Sequence, residues 1–353
     1  MNRQYGALSG VAIFLIVLNH AIHFGLQVAP VEGGWFKVLV VLQALGAFAV
    51  PVFLFVSGAF LAYAAKEFSV TFVRSSLERI LWPYIVWSAV FYGLIALAAG
   101  ERYSAAGYVK NLLVGYPYHF IPLLVFWYLA APAVSWIGRR HGALLLAGIG
   151  TWQAWLLALR FPAMLGVDGW PPAWATATVP PVLFNSMADW GIYFPLGLVT
   201  SLHGAAIKPR LERWRPAAAA ATTTLFGLGL LNAFGVLDAG WARLVAPVPL
   251  MFILPTIDRG SIPLLSAFEW IGRRSYGIYL SHFVVINGIV LALGRAIAGL
   301  KVPALVVYPT LLLATLGLSL VLMEGLSSTS VGRRLYRHVF GIIAPARTQP
   351  RTA

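Results

Sequence analysis

The chain has 353 residues, of which 60% are hydrophobic and 10% are charged, and its formal net charge is +14. Soluble domains carry about 25% charged residues, so this composition excludes a soluble globular protein. The cations fit the flanks of membrane spans better than a nucleic-acid interface, because the sequence has no basic face with interleaved aromatic residues. The absence of cysteine excludes disulfides, thiolate metal sites and a cysteine nucleophile.

Several apolar stretches reach the roughly 20 residues that a helix needs to cross a hydrocarbon core. The run 304–322 does not alternate apolar and polar residues as the strands of a membrane barrel would, so we predict an all-α, polytopic transmembrane helical bundle. About ten spans are expected, at 7–27, 38–64, 80–99, 118–137, 142–160, 183–202, 217–236, 241–257, 275–294 and 304–326.

Lysine and arginine are distributed unevenly between the segments that join these spans. With the N-terminus inside, the inner segments hold 18 of them and the outer segments hold 7. The positive-inside rule therefore predicts an even number of spans and places both termini in the cytoplasm. Residues 1–340 are expected to form one transmembrane domain, 341–353 a disordered cytoplasmic tail, and the Pro- and Trp-rich segment 161–182 an interfacial loop.

A few polar side chains fall inside the predicted spans, where each costs several kcal/mol by insertion scales and so needs an explanation. His20 follows Asn19 in the first span, and a histidine there suits general base catalysis near neutral pH. The alternative is a histidine that only joins two helices. His23 could share a metal ion with His20, but no third ligand with matching spacing is found, so no metal site is predicted. Asp189 is the acidic residue of the sixth span.

The segment 275–282, Ser-Tyr-Gly-Ile-Tyr-Leu-Ser-His, places His282 in the ninth span. The hydroxyls of Tyr276 and Tyr279 can hold a histidine ring or a ligand. The alternative for His282 is a polar contact between helices. His119 lies at the outer edge of the fourth span.

Two arginines, Arg74 and Arg79, lie where the third span meets the cytoplasm. Arginines at such an interface commonly anchor the helix by snorkelling. A guanidinium also binds phosphate groups well, so a phosphate-binding role is the alternative. Glu324, near the inner end of the tenth span, is expected either to pair with a neighbouring arginine or to contact substrate.

Five motifs in chain order resemble those of the acyltransferase 3 family of membrane proteins, over about residues 5–340. They are Leu8-Ser9-Gly10 leading to Leu18-Asn19-His20, the segment 51–61 with Ser57-Gly58, Arg74 and Arg79 leading into Pro83-Tyr84-Ile85-Val86-Trp87, Tyr118-His119 with Trp127-Tyr128-Leu129, and the segment 275–282. The Pro-Tyr-x-x-Trp and Tyr-His-x-x-Pro variants resemble most the branch that acylates bacterial surface polysaccharides and exopolysaccharides. One position departs, because Ser9 stands where many members carry an arginine.

The resemblance implies a membrane-bound O-acyltransferase that depends on acyl-CoA. Such an enzyme moves an acetyl or succinyl group from cytoplasmic acyl-CoA, its donor substrate, to a hydroxyl of a cell-surface or lipid-linked glycan, and no bound cofactor is expected. The resemblance also implies catalytic roles for His20 and His282. The expected substrate-binding residues are Asn19, Arg74, Arg79, His119, Tyr276, Tyr279 and Glu324.

The expected location is the inner membrane of a bacterium, with acyl-CoA, the glycan acceptor and the lipid bilayer as partners. No fused extracytoplasmic domain is expected, because few residues follow Glu324. Separate polysaccharide synthesis or export proteins are therefore candidate partners. Two other classes stay open, namely a transporter or flippase of a glycan or lipid precursor, and a membrane sensor or scaffold without enzymatic activity. Only an acyltransferase would release free coenzyme A from its thioester.

Overall fold

The computed structural model describes residues 3–64, 70–162, 170–296 and 303–343, and within these ranges all regular elements are helices. Short 3-10 turns at Leu45–Phe48, Leu254–Thr256 and Arg259–Ser261 supplement the α-helices. The α-helices are α1 Arg3–Val28, α2 Gly34–Ala44, α3 Ala49–Ala64, α4 Val70–Ala98, α5 Ala105–Val114, α6 Ile121–Arg160, α7 Ala173–Thr176, α8 Phe184–Trp190, α9 Tyr193–Leu202, α10 Gly204–Ala233, α11 Ala242–Val245, α12 Pro247–Ile253, α13 Leu265–Gly272, α14 Ser275–Ala296, α15 Ala304–Ser328 and α16 Ser330–Phe340.

Six helical stretches in the described ranges are long and apolar enough to cross a membrane, which confirms the predicted class of multi-pass helical membrane protein. Large apolar side chains such as Leu97, which is 91% exposed, cover the outside of the bundle, as expected where lipid is the solvent. The predicted count of ten spans and the cytoplasmic termini stay predictions. The six stretches are Arg3–Val28, Gly34–Ala62, Val70–Ala98, Ile121–Arg160, Ser275–Leu293 and Ala304–Ser328.

Three other predicted spans fall outside these six stretches, two of them in short or interrupted helices and one in the long helix α10. The segment 183–202 is divided between α8 and α9. The segment 241–257 consists of α11, α12 and a 3-10 turn. The segment 217–236 falls in the second half of α10, whose first half carries five charged residues between Lys208 and Arg215. Within the predicted loop 161–182, the structure describes the short helix α7, and residues 163–169 lie outside the described ranges.

The 40-residue helix α6 bends back on itself near its middle. A straight helix of this length would measure about 60 Å, twice the thickness of a hydrocarbon core. His141 departs from helical geometry, with φ −135° and ψ 45°, and it follows the exposed Arg139 and Arg140. Phe120, which precedes α6, and Arg160, which ends it, line the same cavity. The two halves of α6 therefore correspond to the separately predicted spans 118–137 and 142–160.

Glycines allow two pairs of helices to pack backbone against backbone. On α1 and α13, a methyl group at Gly10 would lie 2.7 Å from the carbonyl carbon of Phe268, and one at Gly272 would lie 3.0 Å from the nitrogen of Gly10. On α3 and α9, Gly58 and Gly197 make equally close reciprocal contacts. Small residues at membrane helix interfaces favour this close approach. Two of the glycine motifs, Ser57-Gly58 and Leu8-Ser9-Gly10, are thus packing sites.

Ion pairs at one end of the bundle connect helix ends that are far apart in the chain. Arg3 donates a hydrogen bond to Glu269 on α13 at 2.7 Å, and this bond lowers the pKa of the Glu269 carboxyl. Arg274, between α13 and α14, donates to Glu324 near the end of α15 at 2.7 Å. We call this part of the molecule the Arg3 end.

The amphipathic helix α16 packs against α4 through its apolar face. Tyr336 and Phe340 are buried, and the indole of Trp87 donates a hydrogen bond to the carbonyl oxygen of Val339 at 2.8 Å. Its basic residues, among them Arg334 and Arg337, are exposed. The structure describes the predicted tail as far as residue 343, and residues 344–353 lie outside the described ranges.

Candidate functional site

A cavity of about 830 Å³ lies toward the end of the bundle that is opposite the Arg3 end. His20 contributes to its wall and lies seventeen positions after Arg3 on α1, a distance of about 25 Å along the helix. The volume is within the usual range of small-molecule sites, roughly 300–1,000 Å³. The polar residues of the lining are Asn19, His20, Gln43, Glu101, Tyr116, His119, Arg160, Asp189, Asn232, Arg243, Tyr279 and Asn287.

The two predicted catalytic histidines lie next to each other, although 262 positions separate them in the chain. The centroids of the His20 and His282 rings are 5.3 Å apart, and both rings contact Phe283, at 4.5 Å and 4.6 Å. α1 packs along α14, which carries His282 and Phe283. Because His20 also lines the cavity, its ring can meet a ligand there while touching the second histidine.

His282 is fully buried behind the cavity wall. Its Nδ1 donates a hydrogen bond to the carbonyl oxygen of Tyr279, so the proton is on Nδ1 and the Nε2 lone pair is free. Nε2 has no hydrogen-bond partner among the described residues. An unsatisfied buried acceptor costs about 1–3 kcal/mol, and His20 is the nearest polar ring in contact. This arrangement suits a hydrogen bond from His20 to His282.

Asn19 holds α1 against α2 beside the cavity. Its side-chain nitrogen donates to the carbonyl oxygen of Gln43 at 2.9 Å, and Gly46 leaves the space that the Asn19 side chain occupies. The same residue lines the cavity next to His20. Asn19 thus both lines the cavity and fixes the position of α1. His119 does the same at another point, since it lines the cavity and its carbonyl oxygen accepts a hydrogen bond from Ser186 at 3.0 Å.

Three aromatic residues in contact through Tyr279, namely Tyr118, Phe120 and Tyr279 itself, lie between the cavity and the Arg3 end, and we call them the aromatic layer. Tyr279 lies between Tyr276 and His282 along α14, and its ring contacts that of Phe120 at a tilt of 51°, with the centroids 4.4 Å apart. Tyr118 is fully buried against Tyr279 and donates its hydroxyl hydrogen to the carbonyl oxygen of Leu280 at 2.6 Å. Tyr279 lines the cavity, whereas Tyr276 lies beyond it and donates to the carbonyl oxygen of Ile80.

A group of charged residues forms another part of the cavity wall, and we call it the charged group: Arg160, Asp189 and Arg243. Arg160 at the end of α6 forms an ion pair with Asp189 on α8. Arg243 interacts electrostatically with the same carboxylate but forms no ion pair with any residue in the described ranges. In the sequence, Asp189 is conspicuous as an acidic residue within a predicted span, whereas the two arginines belong to the seven outer cations and carry no other signal.

The other predicted substrate-binding residues lie at the Arg3 end. Arg74 is 79% exposed and pairs with Glu78 at 2.9 Å, while Arg79 donates to Ser76 at 3.0 Å. Glu324 accepts hydrogen bonds from Arg274, as the pairing alternative predicted. Together with Tyr276, these residues lie outside the set that lines the described cavity. The predicted site residues therefore form two groups, one at each side of the aromatic layer.

The fold and the site together define an integral membrane protein whose interior holds a ligand-sized polar cavity with two histidines in contact. A family model described as an acyltransferase domain, Acyl_transf_3, matches residues 6–324. The chain therefore belongs to the acyltransferase 3 family, as the five motifs predicted, and is a multi-pass membrane acyltransferase. No curated protein matches the chain. No solved structure matches it either.

Proposed function

We propose that the protein transfers an acyl group, acetyl or succinyl, from cytoplasmic acyl-CoA to a hydroxyl of a cell-surface or lipid-linked glycan in the inner membrane of a bacterium. The observation that supports this proposal is the contact between His20 and His282 at the wall of a polar cavity. An acyl transfer to a hydroxyl needs a positioned base, and a histidine is suited to that step near neutral pH.

In this mechanism His20 is the general base. One N–H of His20 would point toward the free Nε2 of His282, and the other ring nitrogen would accept from the acceptor hydroxyl. As the hydroxyl oxygen attacks the thioester carbonyl, its proton moves to His20, the new C–O bond forms and the C–S bond breaks. The proton then passes to the leaving thiolate of coenzyme A. A covalent relay, in which His20 itself carries the acyl group, is the alternative role.

The donor is proposed to bind from the Arg3 end, where the exposed guanidinium groups of Arg74 and Arg79 would contact its phosphates. Tyr276 connects this region to α4 through its bond to Ile80, and Glu324 holds Arg274 close by. The donor's long pantetheine arm would carry the thioester past the aromatic layer to His20.

The position of Ser9 supports this assignment of the donor arginines. Its hydroxyl donates to the carbonyl oxygen of Tyr5 at 3.1 Å within α1, and the side chain is buried. No cation stands at this position, so if the arginine of other members binds the donor, this protein binds the donor differently or through Arg74 and Arg79. The acceptor is proposed to enter the cavity from the opposite side and to contact Asn19, His119 and Tyr279.

The decisive experiment measures release of free coenzyme A when the purified protein is incubated with labelled acetyl- or succinyl-CoA and a glycan. We expect His20→Ala to reduce the rate by about 10²–10⁴-fold. His23→Ala is the matched control, because His23 lies one turn away on α1 and is outside the set that lines the described cavity. Full activity of His20→Ala would exclude His20 from the mechanism. Glycan movement without thioester consumption would show a transporter instead.

Donor binding has a separate test. Arg74→Ala and Arg79→Ala should raise the KM for acyl-CoA and weaken its salt dependence, because each removes a phosphate contact. Arg215→Ala, an exposed arginine on α10, should leave both unchanged. If all three variants keep the KM of the parent protein, the phosphate role of Arg74 and Arg79 is wrong.

A further inference from the structure

The charged group at the cavity wall is held in a fixed geometry. Gln153, buried on α6, donates to the carbonyl oxygen of Ala188 at 3.0 Å and accepts from the backbone nitrogen of Ile192 at 2.8 Å. These two bonds hold the segment 188–192, which contains Asp189, against α6, the same helix that ends in Arg160. The ion pair between the two residues is therefore formed by elements that are already packed together.

Arg243 is positioned just as firmly by its backbone. The buried Gly229 on α10 lets the Arg243 backbone approach closely, since a methyl group at Gly229 would lie only 3.2 Å from the Arg243 Cβ atom. Tyr193 on α9 donates its hydroxyl hydrogen to the carbonyl oxygen of the next residue, Leu244, at 3.0 Å. Arg243 is an exposed residue and lines the cavity.

The charges of this group do not cancel. Asp189 can neutralise one guanidinium, and it is paired with Arg160. Arg243 forms no hydrogen bond or ion pair with any residue that the structure describes. The other carboxylate of the lining, Glu101, accepts a hydrogen bond from Tyr103 in the loop after α4 and interacts electrostatically with Tyr116, which follows α5. The charged group at α6, α8 and α11 therefore carries a formal charge of +1, which the carboxylate of Glu101, on a different segment of the wall, balances only over the cavity as a whole.

We propose that Arg243, supported by the Arg160–Asp189 pair, binds the carboxylate of an acidic saccharide, so that the acceptor of this enzyme is a glycan with uronic-acid-type residues. A guanidinium fits a carboxylate with two parallel hydrogen bonds, which gives geometric selectivity as well as attraction. The aromatic rings of Trp190 and Phe226, also in the lining, supply the apolar walls that such a sugar site needs. The identification of this saccharide as the acceptor rests on the proposed function. The anion site itself can be tested without catalysis.

The test is calorimetric titration of the full-length protein in detergent with two oligosaccharides of equal length, one of glucose only and one that contains glucuronate. We expect the acidic oligosaccharide to bind at least about tenfold more tightly, with an affinity that falls as salt rises. Arg243→Gln should abolish this preference, and Arg243→Lys should retain part of it. Arg102→Gln is the control, because Arg102 is an exposed cation after α4 that does not belong to the set lining the described cavity.

Three results would overturn the proposal: equal binding of the two oligosaccharides, binding of neither, or an unchanged preference in Arg243→Gln. The salt dependence of the unaltered protein tests the charge contribution even if a variant folds poorly. Acidic binding that depends on Arg243, without release of coenzyme A from any donor, would reject the proposed acyl transfer and leave the anion site in place.

Discussion

Gly197→Ala should destabilise the contact between α3 and α9. A methyl group at this position would lie 2.7 Å from the carbonyl carbon of Phe55 and 2.9 Å from its Cα atom. Carbon atoms that are not bonded come into contact at about 3.5–4.0 Å, so the two helices must move apart by about 1 Å. No side-chain rotation relieves the overlap, because both atoms belong to the backbone of α3.

The expected cost follows from the burial of α9. Residues 193–200 are all buried, so a shift of this helix disturbs contacts on several sides at once. Overpacking a well-packed interior costs about 1–3 kcal/mol, and we expect the upper part of that range. At about 2 °C per kcal/mol for a chain of this size, the apparent Tm should fall by about 4–6 °C.

Thermal unfolding in detergent, followed by the fluorescence of the 13 tryptophans, measures this shift. Gly317→Ala on α15 is the matched control, because a methyl group there would meet no atom of the described chain within 4 Å. It should melt at the temperature of the unaltered protein or slightly above, since alanine favours a helix over glycine. Equal melting temperatures for the two variants would refute the close packing of α3 and α9.

Three further changes have defined outcomes. Trp87→Phe should leave the carbonyl of Val339 without its bond, cost about 1 kcal/mol and make α16 more sensitive to protease. Gln153→Leu removes both bonds to α8 and its following turn and should cost about 2–4 kcal/mol, seen as a lower Tm; a Tm like that of the parent would contradict the role given to Gln153. Because the pKa of Glu269 is lowered in the fold, its stabilisation is complete above its unfolded pKa of about 4.3 and is lost as the pH falls through the lower, folded value. The drop in Tm on acidification should therefore be smaller in Glu269→Gln, and equal drops would contradict the Arg3 contact.

The histidines could be predicted from the sequence because an apolar span makes each polar residue conspicuous. His20 and His282 were singled out for their cost in hydrocarbon, and the motifs suggested that they act together. Their contact in the structure agrees with that reasoning, since a buried polar group is stabilised by meeting another. The break in α6 was also predictable, because Arg139, Arg140 and His141 interrupt an otherwise apolar run.

The charged group could not be predicted in the same way. Arg160 and Arg243 fall at the ends of helices, where a cation needs no special explanation and is counted only for orientation. Their common place at one cavity depends on how α6, α8 and α11 pack, which no local pattern specifies. Asp189 was the available signal, since an acid within a span requires a cation nearby.

The packing of α1 against α13 imposes an order on the biogenesis of the protein. Arg3 and Glu269 are 266 positions apart, and Gln4 on α1 donates to the carbonyl oxygen of Leu254. At roughly 5–20 residues per second, a ribosome needs on the order of 10–50 s to make the chain between them. Throughout that interval the first helix is already made while its partner does not yet exist, so the insertion machinery or lipid must shield its glycine face until α13 has been synthesised.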